Sequence, residues 1–339
     1  MKLDLIQDSP LHKKHTFGLI AHAQALVKVH NQQELKAALA LDFKHKMILG
    51  GGSNLIFTKD FPGLVIEMGI KGIHIAQEFK NSIHLKVGAG ENWHQTVLWA
   101  LKHNYGGLEN LSLIPGQVGA SPIQNIGAYG IELKDVFVKL KALEISTGKV
   151  RTFFKKDCQF GYRDSVFKNK GKGKYVILEV YFKLSKDEHQ INTSYGAIKT
   201  ELEKKKIKSP TIQDVSRAVI KIRQSKLPDP KKIGNAGSFF KNPIISTSKF
   251  KSILKKYPEL VHYKLPNGKI KLAAGWLIDQ CKWKGKSVGG IMVHPKQALV
   301  LTNQGKGNSK DLQKMISKVI QSVEKRYSVR LELEVNLVY

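Results

Sequence analysis

A mixed fold of helices and strands, divided into two or three domains, is what this 339-residue sequence predicts. Three observations carry that expectation. The length exceeds what one hydrophobic core usually serves. The hydrophobic content, 42%, belongs to a folded chain and not to a disordered one. Stretches of period-two alternation also stand among stretches of helical spacing along the whole sequence.

A short Thr16-Phe17-Gly18 lead-in precedes a helical pattern over 31–41, which Asn31 is placed to cap. Strand patterns follow at 47–49, 64–68 and 82–87. In the last of these, Ile83, Leu85 and Val87 alternate with His84 and Lys86, one face buried and one wet. Residues 92–103 predict a helix with Trp93, Val97, Ala100 and Leu101 inward, and strands are predicted over 136–145 and 175–184. Helices are expected from Tyr195-Gly196 to about 206 and over 212–225. Thr211 caps the second, which buries Val215, Ala218, Val219 and Ile222. Lys226-Leu227-Pro228-Asp229-Pro230 then breaks the helix and reads as a domain boundary.

Further on, Ser246 or Thr247 caps a helix through 256, and Pro266-Asn267-Gly268 signals a hairpin turn. Residues 272–281 read as a buried helix and 298–302 as a strand. An amphipathic helix over 309–327 sets Leu312, Met315, Ile316, Val319, Ile320 and Val323 on one face. The chain closes on strict alternation over 329–338, read as a strand, which puts Glu332 and Glu334 on one face about 7 Å apart. Spacing does not choose between a catalytic and a solvated role for either.

Three glycine-rich stretches fit neither period. Residues 109–130 (ENLSLIPGQVGASPIQNIGAYG) carry glycines at 116, 119, 127 and 130, prolines at 115 and 122, and almost no charge. Glycine admits close backbone approach and proline stiffens the path, so the loop suits main-chain N–H groups aimed at an anion such as a pyrophosphate. It also holds residues of buried type: Leu113, Ile114, Val118, Ile123 and Ile126. Upstream, Gly50-Gly51-Gly52-Ser53-Asn54 follows a short apolar run and suits the same task. It is not a dinucleotide fingerprint, since Leu55 stands where a third glycine would be. The third turn, 234–243, leads straight into Phe239 and Phe240. Ser238 there is either a rigidly held functional hydroxyl or one that satisfies the turn's own backbone. Arg163, in Tyr-Arg-Asp-Ser before a strand, offers a planar fork for a carboxylate, although an Arg-Asp neighbour pair is more often a surface ion pair.

Composition excludes several classes. No window approaches a membrane span, no apolar core of a secretory signal is present, and two cysteines without a CxxC spacing suit a reducing cytoplasm. No metal-ligand spacing appears. The net charge of +29 would help recruit an anionic substrate, but the lysines are spread along the chain with no RNP-like or zinc-finger pattern, which argues against nucleic acid as partner.

Taken in order, GGGSN at 50–54, LSLIPGQVGASPIQNIGAYG at 111–130, GYRDSVFK at 161–168, SKLPDP at 225–230, NAGSFFKNP at 235–243, AAGWLIDQC at 273–281, VHPKQALVL at 293–301 and LEVNL at 333–337 resemble the UDP-N-acetylenolpyruvoylglucosamine reductase family over nearly the whole chain. The Tyr195-Gly196 insertion resembles the longer class of that family, with a tyrosine loop covering the substrate. The resemblance implies an α+β fold with a two-lobed FAD-binding domain of the vanillyl-alcohol-oxidase type (1–70 and 71–227, joined by the final strand 329–339) and a C-terminal substrate-closing domain (228–328). It implies an NADPH- and FAD-dependent enzyme of peptidoglycan synthesis that reduces an enolpyruvyl ether on a UDP-sugar, working as a cytoplasmic monomer with no nucleic-acid or membrane partner. Two rival readings stand beside it: a flavin oxidase of the same fold, and a basic binding module without catalysis that would bind RNA and carry no flavin.

The resemblance also assigns residues. Arg163 stabilises the enolate, Glu334 is paired with that role and Ser238 donates the proton. FAD is implied to rest on Gly50, Gly51, Gly52, Ser53, Asn54 and Leu55, and on Pro115, Gly116, Gly119, Ala120, Ile123, Gln124, Asn125 and Gly127. The UDP-sugar is implied to meet Tyr162, Tyr195, Lys226, Asn242, Tyr263, Lys284 and Gln297. One departure stands out: the family commonly has proline where Leu333 sits, and a slightly altered strand edge with unchanged chemistry is expected.

Overall fold

Period-two stretches become strands and period-3.6 stretches become helices in a computed structural model that describes residues 3–339. The first two residues of the expected 1–70 lobe lie outside the described residues. Contacts divide the chain into two units. The first takes in the chain up to Ser9, Ala23–Gly51 and Pro62–Ser225; the second takes in Pro10–His22, Gly52–Phe61 and Lys226–Tyr339. The α+β expectation holds in both.

The first unit contains two sheets. One orders its strands Leu5–Pro10, His22–Val29, Phe61–Met68 and Lys46–Leu49, the last two parallel with Lys46 opposite Leu64. The other is antiparallel, in the order Val150–Phe154, Phe137–Glu144, Tyr175–Ser185, Ser82–Gly88 and Ile73–Glu78. Ile83, Leu85 and Val87 are fully buried, as their alternation requires. A single apolar cluster runs through both sheets and takes in Trp93, Val97, Ala100 and Leu101 of the Trp93–Lys102 helix. Trp93 is buried edge-on to Phe182, and its indole N–H donates to the Leu111 carbonyl at 2.9 Å. That bond ties the start of the long glycine loop to a rigid helix.

A smaller cluster packs the Gly196–Lys204 helix against the Ile212–Lys226 helix, with Ile198, Leu202, Val215, Ala218, Val219 and Ile222 buried. The second helix starts on a reciprocal cap. The Thr211 hydroxyl accepts from the Asp214 N–H at 3.2 Å, and the Asp214 carboxylate accepts from the Thr211 N–H at 3.0 Å.

The second unit holds a four-stranded sheet in the order Gly234–Ser238, Val300–Asn303, Ile291–Val293 and Ser287–Val288, and a three-stranded one in the order Ile244–Ile245, Ile270–Leu272 and His262–Lys264. The Ser309–Tyr327 helix buries Leu312, Met315, Ile316, Val319 and Val323. The Pro266-Asn267-Gly268 turn closes a hairpin, with Gly268 at φ 75°.

Some expectations change. Strands Leu5–Pro10, His22–Val29 and Ile73–Glu78 were not legible: Ile73–Glu78 is an edge strand with five exposed residues in six, so alternation has no buried face to mark it. The closing stretch keeps its alternating burial but is not one strand. Leu333 makes an isolated bridge with Phe240, and only Asn336–Val338 forms a ladder, parallel to Leu55–Phe57. Burial alternates wherever extended chain lies on a core; a ladder also needs a partner edge.

The helix cap gives a pH-dependent contribution. Backbone and side-chain hydrogen bonds from Thr211, then Arg217, hold Asp214 down from its ordinary 3.8 to about 2. A depressed carboxyl contributes stability that is present above the unfolded value and lost as pH falls through the folded one. Asp214→Asn is therefore expected to lower the urea midpoint at neutral pH, and the gap to the unmodified chain should close as pH falls from 3.8 toward 2.

Candidate active site

In the first unit the two amino-terminal glycine stretches touch. A methyl group on Gly51 would sit 2.9 Å from the Gly116 Cα, so the backbones approach more closely than any side chain permits. In the second unit Gly52, at φ 61°, packs its α-carbon on the Lys14 carbonyl, where a methyl would lie at 2.1 Å. Ser53, Asn54 and Leu55 continue from it.

Beside Gly50, within the first unit, opens a cleft of about 400 Å³ lined by Lys46, Met47, Gln117, Gly119, Ala120 and Ile123 among others. Ile123 is exposed there and is not the buried residue its type suggested. Gln117 donates its amide to the Met68 carbonyl at 3.0 Å, but its Oε1 is buried with no partner among the described residues. An orphaned acceptor of that kind calls for a ligand donor. The loop's own N–H groups are less available than a glycine-rich sequence suggests. Those of Val118, Gly119, Ala120, Ile123 and Asn125 already donate to protein carbonyls at 2.9–3.3 Å. These positions shape a wall; Pro115 and Gln124 lie on the same loop.

Asn125 is fully buried and uses both ends of its amide internally. Nδ2 donates to Glu132 at 3.1 Å and to the Gly161 carbonyl at 3.0 Å, while Oδ1 accepts from the Lys134 N–H at 3.1 Å. It thereby docks the loop onto the 161–164 turn. Ser165 repeats the tie to Ile123 at 2.6 Å. Within that turn Arg163 takes φ 54°, a left-handed conformation that costs a non-glycine residue about 1–2 kcal/mol. Its Nη2 donates to the Gly127 carbonyl at 2.6 Å, and its guanidinium lies 5.4 Å from the Tyr162 ring centre. Backbone strain maintained by surrounding bonds is characteristic of functional positions.

Ser238 and Glu334 belong to the second unit. Ser238 pairs with Val300 after a bulge in which Gly237 takes φ 69°, and bulges re-aim the side chain that follows. Among the described residues its hydroxyl makes no hydrogen bond, so it does not serve the turn's own backbone. Phe239 and Phe240 are buried in the core. The Glu334 N–H donates to the Phe239 carbonyl at 3.0 Å and the Lys241 N–H to the Glu332 carbonyl at 2.9 Å, which sets Glu334 opposite Phe239, next to Ser238 in the chain. Glu332 makes an exposed ion pair with Lys241 at 3.2 Å. Neither backbone bond uses the Leu333 N–H, so a proline at that position fits the same pairing. Asn54 Nδ2 donates to the Glu334 carbonyl at 3.3 Å.

The expected substrate residues come from both units. Tyr195 precedes the Gly196–Lys204 helix, is 43% exposed, and meets Tyr129 edge-on at 5.1 Å. Asn242 accepts from the Ala274 N–H at 2.9 Å, and Gln297 Oε1 lies beside Gly275, so both converge on the start of the Ala274–Gln280 helix. Lys226 is exposed. Lys284 pairs with Asp279 at 2.6 Å, and Tyr263 sits on the exposed hairpin under Lys271.

Sequence reasoning missed a group in the first unit. Arg223 donates through Nε to the Leu113 carbonyl at 3.2 Å and hydrogen-bonds Tyr129, while His94 Nδ1 accepts from the Leu113 N–H at 3.0 Å. Burial, then the charge of Arg223, lowers the His94 pKa. The available signal was position: Arg223 stands four residues after Val219 and seven after Ser216, on the buried stripe of its helix.

Comparison with known proteins follows this division. Residues 23–153 match an FAD binding domain, and residues 229–338 match the C-terminal domain of UDP-N-acetylenolpyruvoylglucosamine reductase. The reductase of Flavobacterium johnsoniae is 47% identical over 99% of this chain and 100% of its own length; that of Amoebophilus asiaticus is 48% identical over 99% and 100%. The chain belongs to the UDP-N-acetylenolpyruvoylglucosamine reductase family. The crystal structure of the Thermus caldophilus reductase has the same fold, with a TM-score of 0.68 at 24% identity over 100% of both chains. As a member of this reductase family the chain is an FAD-dependent enzyme. The residues present fit that cofactor: the cleft has a glycine wall, apolar Met47 and Ile123, the cations of Lys46 and Lys172, and the unpartnered Gln117 acceptor.

The glycine contact is directly testable. Overpacking typically costs 1–3 kcal/mol, so Gly51→Ala is expected to weaken FAD binding by about tenfold or more, checked by flavin absorbance after dialysis.

Proposed function

We propose that this reductase converts UDP-N-acetylglucosamine enolpyruvate to UDP-N-acetylmuramate for peptidoglycan synthesis, with NADPH as reductant, as a monomer in the cytoplasm. Among the described residues no helix is long and apolar enough to cross a membrane. When bound, FAD supplies the two-electron hydride chemistry that links NADPH to the substrate. Hydride addition at C3 of the enolpyruvyl group leaves negative charge at C2, delocalised into the adjacent carboxylate. Arg163 stabilises that charge, because a guanidinium matches a carboxylate in both plane and sign. Glu334 is paired with that role, and Ser238 delivers the proton to C2. A serine hydroxyl is a weak acid in water, so its use requires a fixed, partly desolvated position; the Gly237 bulge and the buried Phe239 and Phe240 are consistent with one.

Binding of the UDP-sugar is assigned to Tyr162, Tyr195, Lys226, Asn242, Tyr263, Lys284 and Gln297. These are hydrogen-bonding or cationic groups suited to a diphosphate and a uracil. The observation that carries the reading is Arg163, held in left-handed backbone with its guanidinium on the Gly127 carbonyl of the flavin loop.

Purified protein should be yellow, bleach on NADPH addition without air, and regain colour when the enolpyruvyl substrate is added. Oxygen consumption driven by an alcohol or sugar would instead mark an oxidase. Ser238→Ala should leave NADPH bleaching intact and slow substrate-driven reoxidation by about 10²–10⁴-fold, the range for a lost general acid. Near-normal reoxidation by that variant would remove Ser238 from the mechanism.

A further inference from the structure

Of the six arginines in the chain, Arg151, Arg217 and Arg330 each pair with a carboxylate, at 3.0, 2.7 and 3.0 Å from Glu144, Asp214 and Glu324. Arg223 does not. Among the described residues its guanidinium meets only the Leu113 carbonyl and Tyr129, with no Asp or Glu within ion-pair distance. A part-buried cation with neutral partners alone keeps most of its desolvation cost, and proteins rarely retain such a charge without a counter-ion.

Its surroundings are built. Ser216, on the same helix face, exchanges a hydroxyl–hydroxyl bond with Ser112 at 2.8 Å, locking the helix to the loop. The two residues Arg223 reaches, Leu113 and Tyr129, both adopt left-handed backbone, at φ 59° and 51°. They bracket the loop segment 115–127 that carries the flavin-binding residues. His94, on the other side of the Leu113 peptide, accepts the Leu113 N–H through Nδ1, and burial, then the charge of Arg223, lowers its pKa, which disfavours a competing cation there. Tyr129 in turn meets Tyr195, the exposed tyrosine of the substrate loop, edge-on at 5.1 Å.

We infer that Arg223, with the Tyr129 hydroxyl, is a seat for an oxyanion brought by a nucleotide ligand, and that its charge is balanced only when that ligand is bound. The inference rests on the proposed function. The anion is a phosphate oxygen of FAD or of the UDP-sugar, and both present the same chemistry to a guanidinium fork.

The test uses the full chain and Arg223→Gln, with two arms. One measures FAD retention by flavin absorbance; the other titrates UDP into the flavin-loaded protein by calorimetry. Loss of a partner from a desolvated charge pair predicts weakening by about thirtyfold or more in one arm. A loss confined to FAD places the anion on the cofactor, and a loss confined to UDP places it on the substrate. Arg223→Lys keeps the charge but not the fork, and should fall between Gln and the unmodified protein. Should the Gln variant fail to fold, the Lys variant decides, with a weakened arm expected. A folded variant that matches the unmodified protein in both arms overturns the seat. If the unmodified protein holds no flavin, the proposed function fails instead, so the two failures are distinguishable.

Discussion

The first unit's site depends on one side chain that touches no solvent. Asn125 joins the 109–130 loop to the Glu132–Lys134 segment and to the Arg163 turn through three hydrogen bonds, all saturated within the protein. Its role is to hold Gly127 where Arg163 can reach it. Leu111, Val118 and Ile126 anchor the loop in the core, but between them its backbone is neither α-helix nor strand, and buried amide geometry adds the rigidity. The Ser165 bond to Ile123 and the Trp93 bond to Leu111 act in the same way along the loop. Together they let backbone that is neither helix nor strand keep one conformation, left-handed residues included.

The same logic separates two kinds of charge. Most of the lysines behind the net charge of +29 are exposed, and many sit in solvent-screened pairs such as Lys284 with Asp279. Such pairs contribute little. Arg163 and Arg223 differ because both reach backbone carbonyls of the 109–130 loop from less exposed positions. Net charge says nothing about where those two lie.

Much of the architecture was legible from periodicity. The 309–327 helix, the Thr211 cap and the Ile83-Leu85-Val87 face follow from spacing and side-chain chemistry alone. Composition singled out the glycine loops and the Tyr-Arg-Asp-Ser run singled out Arg163, but neither showed how the loops are held. Asn125 looked like a cofactor contact; only three-dimensional register shows its amide to be used up. Glu332 and Glu334 were indistinguishable in sequence because alternation treats them alike, and the Lys241 contact separates them. Arg223 was missed because an arginine on an apolar stripe reads as a helix former until its partners are known. Edge strand Ile73–Glu78 escaped because it buries almost nothing.

The second unit is assembled from three separated pieces of chain, and its last ladder joins Asn336–Val338 to Leu55–Phe57. Synthesis on the ribosome runs from the amino end. Residues 52–61 therefore emerge long before their strand partner exists, and the ladder must await residues 336–338. First-unit segments, complete by Ser225, are free to settle sooner. Contacts of such long sequence separation also slow folding in general, which makes the interval before residues 336–338 emerge a period when the Leu55–Phe57 edge stands unpaired and open to wrong partners.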